Sequence, residues 1–345
     1  MVYFHNDYNQ GCHPAVMDKL VALQNQQMNG YGTDTCCQAA ADKIRAACRA
    51  ENAAVHFLVG GTQTNLTVIA ASLRPHQGVI SADSGHINVH ETGSIEATGH
   101  KVILVPEKDG KVRPERVEKI VLSQSLAMDA EHIVQPKMVY ISNPTEYGTL
   151  YSLAELEELS RLCKKYRLYL FVDGARMGYG LTARDNDITL ADYARLCDAF
   201  YIGGTKCGAM FGEAVVISNP DIAEDFRYLM KQRGGMLAKG WLLGAQFDAL
   251  FTDDLYMTVA AKANAMADQI RQTLDSLGYP LYMQGCTNQT FVTLPDTLLE
   301  KLSQSVTYAV WEKPDEGHTT VRFCTSWATT QEQVDFLCGL LRQNS

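Results

Sequence analysis

The chain has 345 residues, a formal net charge of −9 and 46% apolar residues, enough for about two domains around a substantial core. The acidic balance argues against a nucleic-acid partner, which calls for a basic stripe. No apolar run approaches the roughly 20 residues of a membrane span, so no membrane partner is expected either. Residues 1–7 lack a basic segment followed by an apolar one, so no signal peptide is read there. Ten scattered cysteines without a CxxC pair read as the reduced thiols of a cytoplasmic protein with no metal site.

In chain order, residues 14–28 and 38–50 are expected as helices, separated by the glycine-punctuated segment Asn29-Gly30-Tyr31-Gly32. A strand at 55–59 then leads into a helix at 62–73, and further strands are expected at 78–81, 101–106 and 138–142. Residues 153–166 form a helix with Leu153, Leu156, Leu159 and Leu162 on one face, opened by the capping box Ser152-Leu153-Ala154-Glu155. Strands follow at 168–172, 199–202 and 214–218. Short apolar runs alternating with helices specify an α/β fold, a mostly parallel sheet covered by helices on both faces. A continuous helical stretch is expected from 241 to 277. The last 65 or so residues read strand, helix, strand, strand, helix, the final helix opening at Thr329-Thr330-Gln331-Glu332. The expected organisation is a large α/β domain over 1–245 and a smaller C-terminal α+β domain over 246–345.

Two segments carry the chemistry. Val172-Asp173-Gly174-Ala175-Arg176 sets an acid and a base just past a buried strand, and Gly203-Gly204-Thr205-Lys206-Cys207-Gly208 sets a lone lysine past the next one. That pairing suits pyridoxal 5'-phosphate: Lys206 bonds the cofactor's aldehyde, and Asp173 keeps its pyridine nitrogen protonated. Gly60-Gly61-Thr62-Gln63 follows a strand and opens a helix, a cradle for the phosphate on Gly61 and Thr62, to which Thr205 adds a hydroxyl. Arg176 suits the cofactor's phenolic oxygen or a substrate carboxylate. His86 is placed to stack on the ring and handle a substrate proton, with Glu91 to orient it. Arg322, a charge inside the apolar strand Thr320-Val321-Arg322-Phe323-Cys324, calls for an anionic partner, and a substrate carboxylate is a natural one. Each has a plainer reading: an ordinary βα turn, a surface salt bridge for Arg176, a loop histidine, an edge-strand arginine. Asp173 alone would also suit Mg²⁺, with Asp83 or Glu146 as second acid, but no Gly-Lys-Ser/Thr follows the glycine turn.

Taken together, Asn6-Asp7, Tyr31-Gly32, Gly61-Thr62-Gln63-Thr64-Asn65, His86 to Glu91, Asp173-Gly174-Ala175-Arg176, Lys206, Gly234-Gly235-Met236 and Arg322 resemble the low-specificity L-threonine aldolases. These belong to the β-eliminating lyase branch of the aspartate-aminotransferase-like (fold type I) pyridoxal phosphate enzymes. The resemblance implies catalytic roles for Lys206, His86 and Asp173, and cofactor contacts from Gly61, Thr62, Arg176 and Thr205. Asn6, Glu146, Arg176 and Arg322 would serve the substrate. It implies a homotetramer built from dimers, with sites at subunit interfaces where Tyr31 and Arg233 reach a neighbour's site. The expected reaction is retro-aldol cleavage of a β-hydroxy-α-amino acid to glycine and an aldehyde, a small-molecule substrate; β-elimination and transamination use the same residues. Glu146 stands where the family often has a histidine on the substrate's hydroxyl side, so the hydroxyl-side base is open.

Overall fold

A computed structural model describes residues 1–344. A seven-stranded sheet forms the centre, built from β2 (Ala54–Leu58), β3 (Gln77–Ala82), β4 (Lys101–Val105), β5 (Gln135–Ser142), β6 (Tyr169–Asp173), β7 (Ala199–Gly203) and β8 (Glu213–Ile217). A two-residue strand, β1 (Val2–Tyr3), precedes them. The spatial order is β2-β8-β7-β6-β5-β3-β4. All neighbours run parallel except β8, which is antiparallel to both β2 and β7. Every residue of β3, β7 and β8 is buried, as a sheet covered on both faces requires. Successive residues feed opposite faces: Val139, Val172 and Phe200 join one core, and Met138, Tyr140, Phe171 and Tyr201 the other.

A smaller antiparallel sheet packs β9 (Gln289–Pro295), β11 (Ala309–Glu312) and β12 (His318–Cys324) in the order β11-β12-β9. Its core of Val292, Leu294, Val321 and Phe323 is closed by the last helix, Gln331–Asn344, through Val334, Leu337 and Leu341. The N-terminal arm, expected as part of the large domain over 1–245, packs into this smaller body instead. β1 pairs in parallel with β10 (Val306–Thr307), Phe4 sits in the same core, and the Cys324 N–H donates to the Phe4 carbonyl at 2.7 Å. The helix Leu255–Ser276 serves both bodies, with Tyr256, Ala260 and Ala263 in the large core and Ile270 and Leu274 in the small one.

Some boundaries differ from the sequence reading. The helix expected over 14–28 ends at Leu23, and its neighbour is Thr35–Cys48 rather than 38–50. The second starts early because Asp34 caps it, its side chain accepting from Cys37 N–H at 2.8 Å. The stretch 241–277 is two helices, Trp241–Leu250 and Leu255–Ser276. Asp253 and Asp254 sit at φ 51° and 56° between them, left-handed conformations that aspartate tolerates better than most residues. The final capping box lies one residue later than read: Thr330 N–H donates to Gln333 at 3.1 Å, and Gln333 N–H to Thr330 at 3.4 Å. The helix Pro114–Ser125 was not read from the sequence. The Ser152–Glu155 box forms as read.

Candidate active site

In an open α/β sheet the carboxyl ends of the strands face the ligand crevice, and here Ser142 of β5 and Asp173 of β6 end in register, with the parallel β7 beside them running on to Gly203. Because β8 runs the other way, its first residue, Glu213, pairs with Gly203 and with Leu58 at the end of β2. The chain crosses closely here. A Cβ on Gly174 would come within 1.9 Å of the Tyr201 carbonyl, so only glycine lets the Asp173 turn pass β7. The resulting cleft of about 340 Å³ is lined by Gly60, Gly61 and Thr62, by His86 and Glu146, and by Asp173, Arg176, Thr205 and Lys206.

Asp173 is 4% exposed. Its Oδ2 accepts from the Tyr140 hydroxyl at 2.6 Å and Asn65 Nδ2 at 3.0 Å, and its Oδ1 from the Tyr201 hydroxyl at 2.5 Å and the Ala175 N–H at 3.0 Å. Burial works against the charge, but the neighbouring His86 and the Tyr140, Tyr201 and Ala175 donors outweigh it and hold the carboxyl below its ordinary range. Asn65 also donates to Glu91 at 2.7 Å. Glu91 in turn bonds His86 Nδ1 at 2.7 Å and accepts from Ser94, so one buried amide ties the acid at the end of β6 to the histidine pair. The roles of Asn65, Tyr140 and Tyr201 were missed in the sequence: Asn65 was quoted only within the glycine-turn motif, the two hydroxyls sit inside buried strands, and only the fold aims all three at Asp173.

Lys206 projects from the turn between β7 and β8. Burial and the Arg176 charge lower its amine's pKa, against the pull of Asp7, Asp173 and Glu213. Arg176 is not a free cation: its Nε and one amino group donate to Asp7 at 2.7 and 3.0 Å. Asn288 adds a third donor to Asp7 at 2.8 Å. Burial opposes this charge too, yet Arg176 and Lys206 bring the Asp7 carboxyl down to about 2. Glu146 Oε1 accepts from Ser142 Oγ at 2.6 Å and His86 N–H at 2.8 Å, and burial pushes its pKa up. Thr205 donates to Glu213 at 2.8 Å, and burial pushes Glu213 up to about 8.

Arg322 does not line this cleft but stands near it, where its charge, with those of Lys206 and Arg176, bears on His90. One amino group donates to Gln289 at 3.1 Å and the other to the His5 carbonyl at 3.3 Å, while its buried Nε has no partner in the chain. Asn6 is not among the residues lining the cleft; it caps the turn to Tyr8, which is, its side chain accepting the Tyr8 N–H at 3.0 Å. Tyr31 and Arg233 are outside the cleft of their own chain. Tyr31 is 46% exposed at φ 62° under the Lys231 ammonium, and the Arg233 carbonyl accepts from Gln63 at 3.2 Å.

The residues fit pyridoxal phosphate. The helix Gly61–Ser72 opens at Gly60 with no side-chain cap, which leaves its first N–H groups free for an anion. A carboxylate kept ionised by four donors is the group needed to face a protonated ring nitrogen, and a depressed-pKa lysine beside it is the amine needed for an imine. No cluster of metal-ligating side chains occurs among the described residues.

Comparison with known proteins covers nearly the whole chain. Residues 7–297 match the beta-eliminating lyase family. The low specificity L-threonine aldolase of Pseudomonas aeruginosa is 28% identical over 342 residues, 98% of this chain and 96% of that one. A solved threonine aldolase of Leishmania major is 43% identical and superposes with a TM-score of 0.97 over 99% of each chain. An aspartate aminotransferase of Thermus thermophilus, 15% identical with a TM-score of 0.74 over 100% of this chain and 92% of that one, shares the fold.

Proposed function

This chain belongs to the beta-eliminating lyase family, and from that premise we propose that it is a pyridoxal-phosphate-dependent aldehyde-lyase cleaving L-threonine and L-allo-threonine to glycine and acetaldehyde. The observation that carries the reading is the joint placement of Asp173 and Lys206 in one cleft, in a chain similar over its full length to threonine aldolases. When bound, pyridoxal phosphate supplies an electron sink for the bonds at the substrate's Cα.

This chain's own residues do the rest. The N–H groups after Gly60 and the Thr62 and Thr205 hydroxyls would hold the phosphate, Asp173 would face the ring nitrogen, and Lys206 would supply the amine for the aldehyde. The partnerless Nε of Arg322 meets the substrate carboxylate, with Arg176 held in place by Asp7. His86, oriented by Glu91 through Nδ1, accepts the β-hydroxyl proton directly or through a water, and Glu146, bonded to the His86 backbone, stands on the same wall. The exposed Tyr31 and the position of Arg233 outside their own cleft support a homotetramer in which these residues complete a neighbour's site. Ten free cysteines, nine of them buried, support a reducing, cytoplasmic setting. No helix among the described residues is long and apolar enough to cross a membrane.

The test is to incubate the purified holoenzyme with both threonine isomers and assay glycine and acetaldehyde. Lys206→Ala is expected to abolish turnover and the visible absorbance of the bound cofactor together. Release of a keto acid and ammonia without glycine would replace this reading with β-elimination.

A further inference from the structure

Glu213 is 4% exposed and forms part of the cleft wall, together with the Gly60–Thr62 turn. It forms none of the salt bridges found among the described residues. Its Oε2 accepts from the Gly204 N–H at 3.1 Å, and its Oε1 lies 2.8 Å from Thr205 Oγ1. Thr205 Oγ1 itself accepts from the Gly212 N–H at 3.0 Å. A hydroxyl has one proton to give. While Glu213 is ionised it takes that proton, and the wall offers an anion a carboxylate charge and no donor from Thr205. The Gly212 carbonyl, at 3.5 Å, is the other acceptor in reach. Once Glu213 is protonated the bond reverses: the carboxyl donates to Thr205 Oγ1, and the threonine's proton is released to the cleft.

We propose that Glu213 is a proton-dependent positioning residue for the cofactor's phosphate: its neutral form turns the Thr205 hydroxyl toward the anion, so that wherever Glu213 is ionised in the cofactor-free chain, pyridoxal phosphate binds with uptake of a proton by it. The proton comes from solvent, and only O–H bonds change. This rests on the cofactor reading above. The groups facing Glu213 are Lys206 and Cys207 on its own turn, Asp173 at the end of β6, Tyr201 on β7 and Tyr256 on the helix Leu255–Ser276. Burial raises the carboxyl's pKa most, Asp173 adds to the rise, and Thr205, Lys206 and the Gly204 N–H oppose it; the balance, about 8, puts the exchange within a range a cell visits. A phosphate dianion brought to this wall raises it further.

The cofactor-stripped full-length chain is titrated with pyridoxal phosphate, and with pyridoxal, which lacks the phosphate, from about pH 6 to about pH 10. Above about pH 8 the wild-type dissociation constant for pyridoxal phosphate is expected to climb toward tenfold per pH unit beyond any climb seen with pyridoxal. Glu213→Gln, whose amide donates to Thr205 at every pH, is expected to lose that extra limb and to bind pyridoxal like the wild type. Calorimetry of the wild type near pH 8, in two buffers of different ionisation heat, is expected to show more proton uptake with pyridoxal phosphate than with pyridoxal, which keeps the test alive should the variant not fold. An unchanged limb in Glu213→Gln, or equal proton uptake for both ligands, overturns the proposal. Failure of the wild type to bind pyridoxal phosphate at all would instead remove the cofactor reading beneath it.

Discussion

Asp7, outside the lining of the cleft, holds a cation that lines it, Arg176, through two donors at 2.7 and 3.0 Å. The carboxylate has no solvent exposure, and its pKa lies near 2 against an ordinary 3.8. A depressed carboxyl stabilises the fold fully above its unfolded value and loses that contribution as pH falls through the folded one. The pair is therefore expected to supply about 2 kcal/mol at neutral pH, fading between about pH 4 and about pH 2. Asp7→Asn leaves Arg176 buried without its anion and is expected to cost about 3–5 kcal/mol in chemical denaturation, with most of the acid-sensitive part of the wild-type curve gone. A flat wild-type profile over that window would sink the assignment. Asp173, Lys206, Arg176 and the glycine turn could be picked out in the sequence because each is a polar group or a break set against an apolar run. Asp7 was quoted only as part of an N-terminal signature, and its partner lies 169 residues away. That distance carries no local signal, and the same holds for the phenols and the amide on Asp173.

Elements whose pattern was local were the readable ones. The buried strands and the Ser152 capping box follow from apolar runs and from a hydroxyl three residues ahead of an acid. Helix ends were less readable, because they turn on backbone angles. Arg49, exposed, ends the helix Thr35–Cys48 at φ 50°, ψ 41°, and Arg167 ends Leu153–Tyr166 at φ 54°, ψ 38°. Both are left-handed caps that glycine fills with least strain. Arg49→Gly is expected to stabilise the protein by about 0.5–1 kcal/mol, the relieved strain exceeding glycine's entropy cost. An unchanged or lowered melting temperature would show that the arginine has contacts worth more than its strain. The break between Trp241–Leu250 and Leu255–Ser276 escaped notice for a similar reason: two adjacent aspartates in left-handed conformations are an ordinary helical surface when seen as composition.

At the scale of the molecule, the α/β class and the small α+β body could be read from the alternation of strand and helix, whereas the association of the arm with that body could not. Phe4 is 1% exposed and meets Phe323 edge-on, with ring centroids 6.4 Å apart. Phe4→Ala is expected to cost about 3–5 kcal/mol and to raise KM for the amino acid more than it lowers kcat, since the His5 carbonyl that receives Arg322 and the Asp7 carboxylate that holds Arg176 both ride on this arm. A loss confined to kcat would argue that the arm acts elsewhere. The same arm bears on how the protein is made. His5 is bonded to Thr307, 302 residues further on, and Asp7 waits for Asn288. A ribosome has delivered all seven strands of the central sheet well before either of those partners exists. A growing chain thus has the lysine and the acid at the end of β6 within a nearly finished sheet, with Arg176 present for Asp7 but neither Thr307 nor Asn288 yet made to hold the arm. Competence to bind an amino acid comes late in translation, and a chain stalled before Asn288 is expected to hold a sheet but no working site.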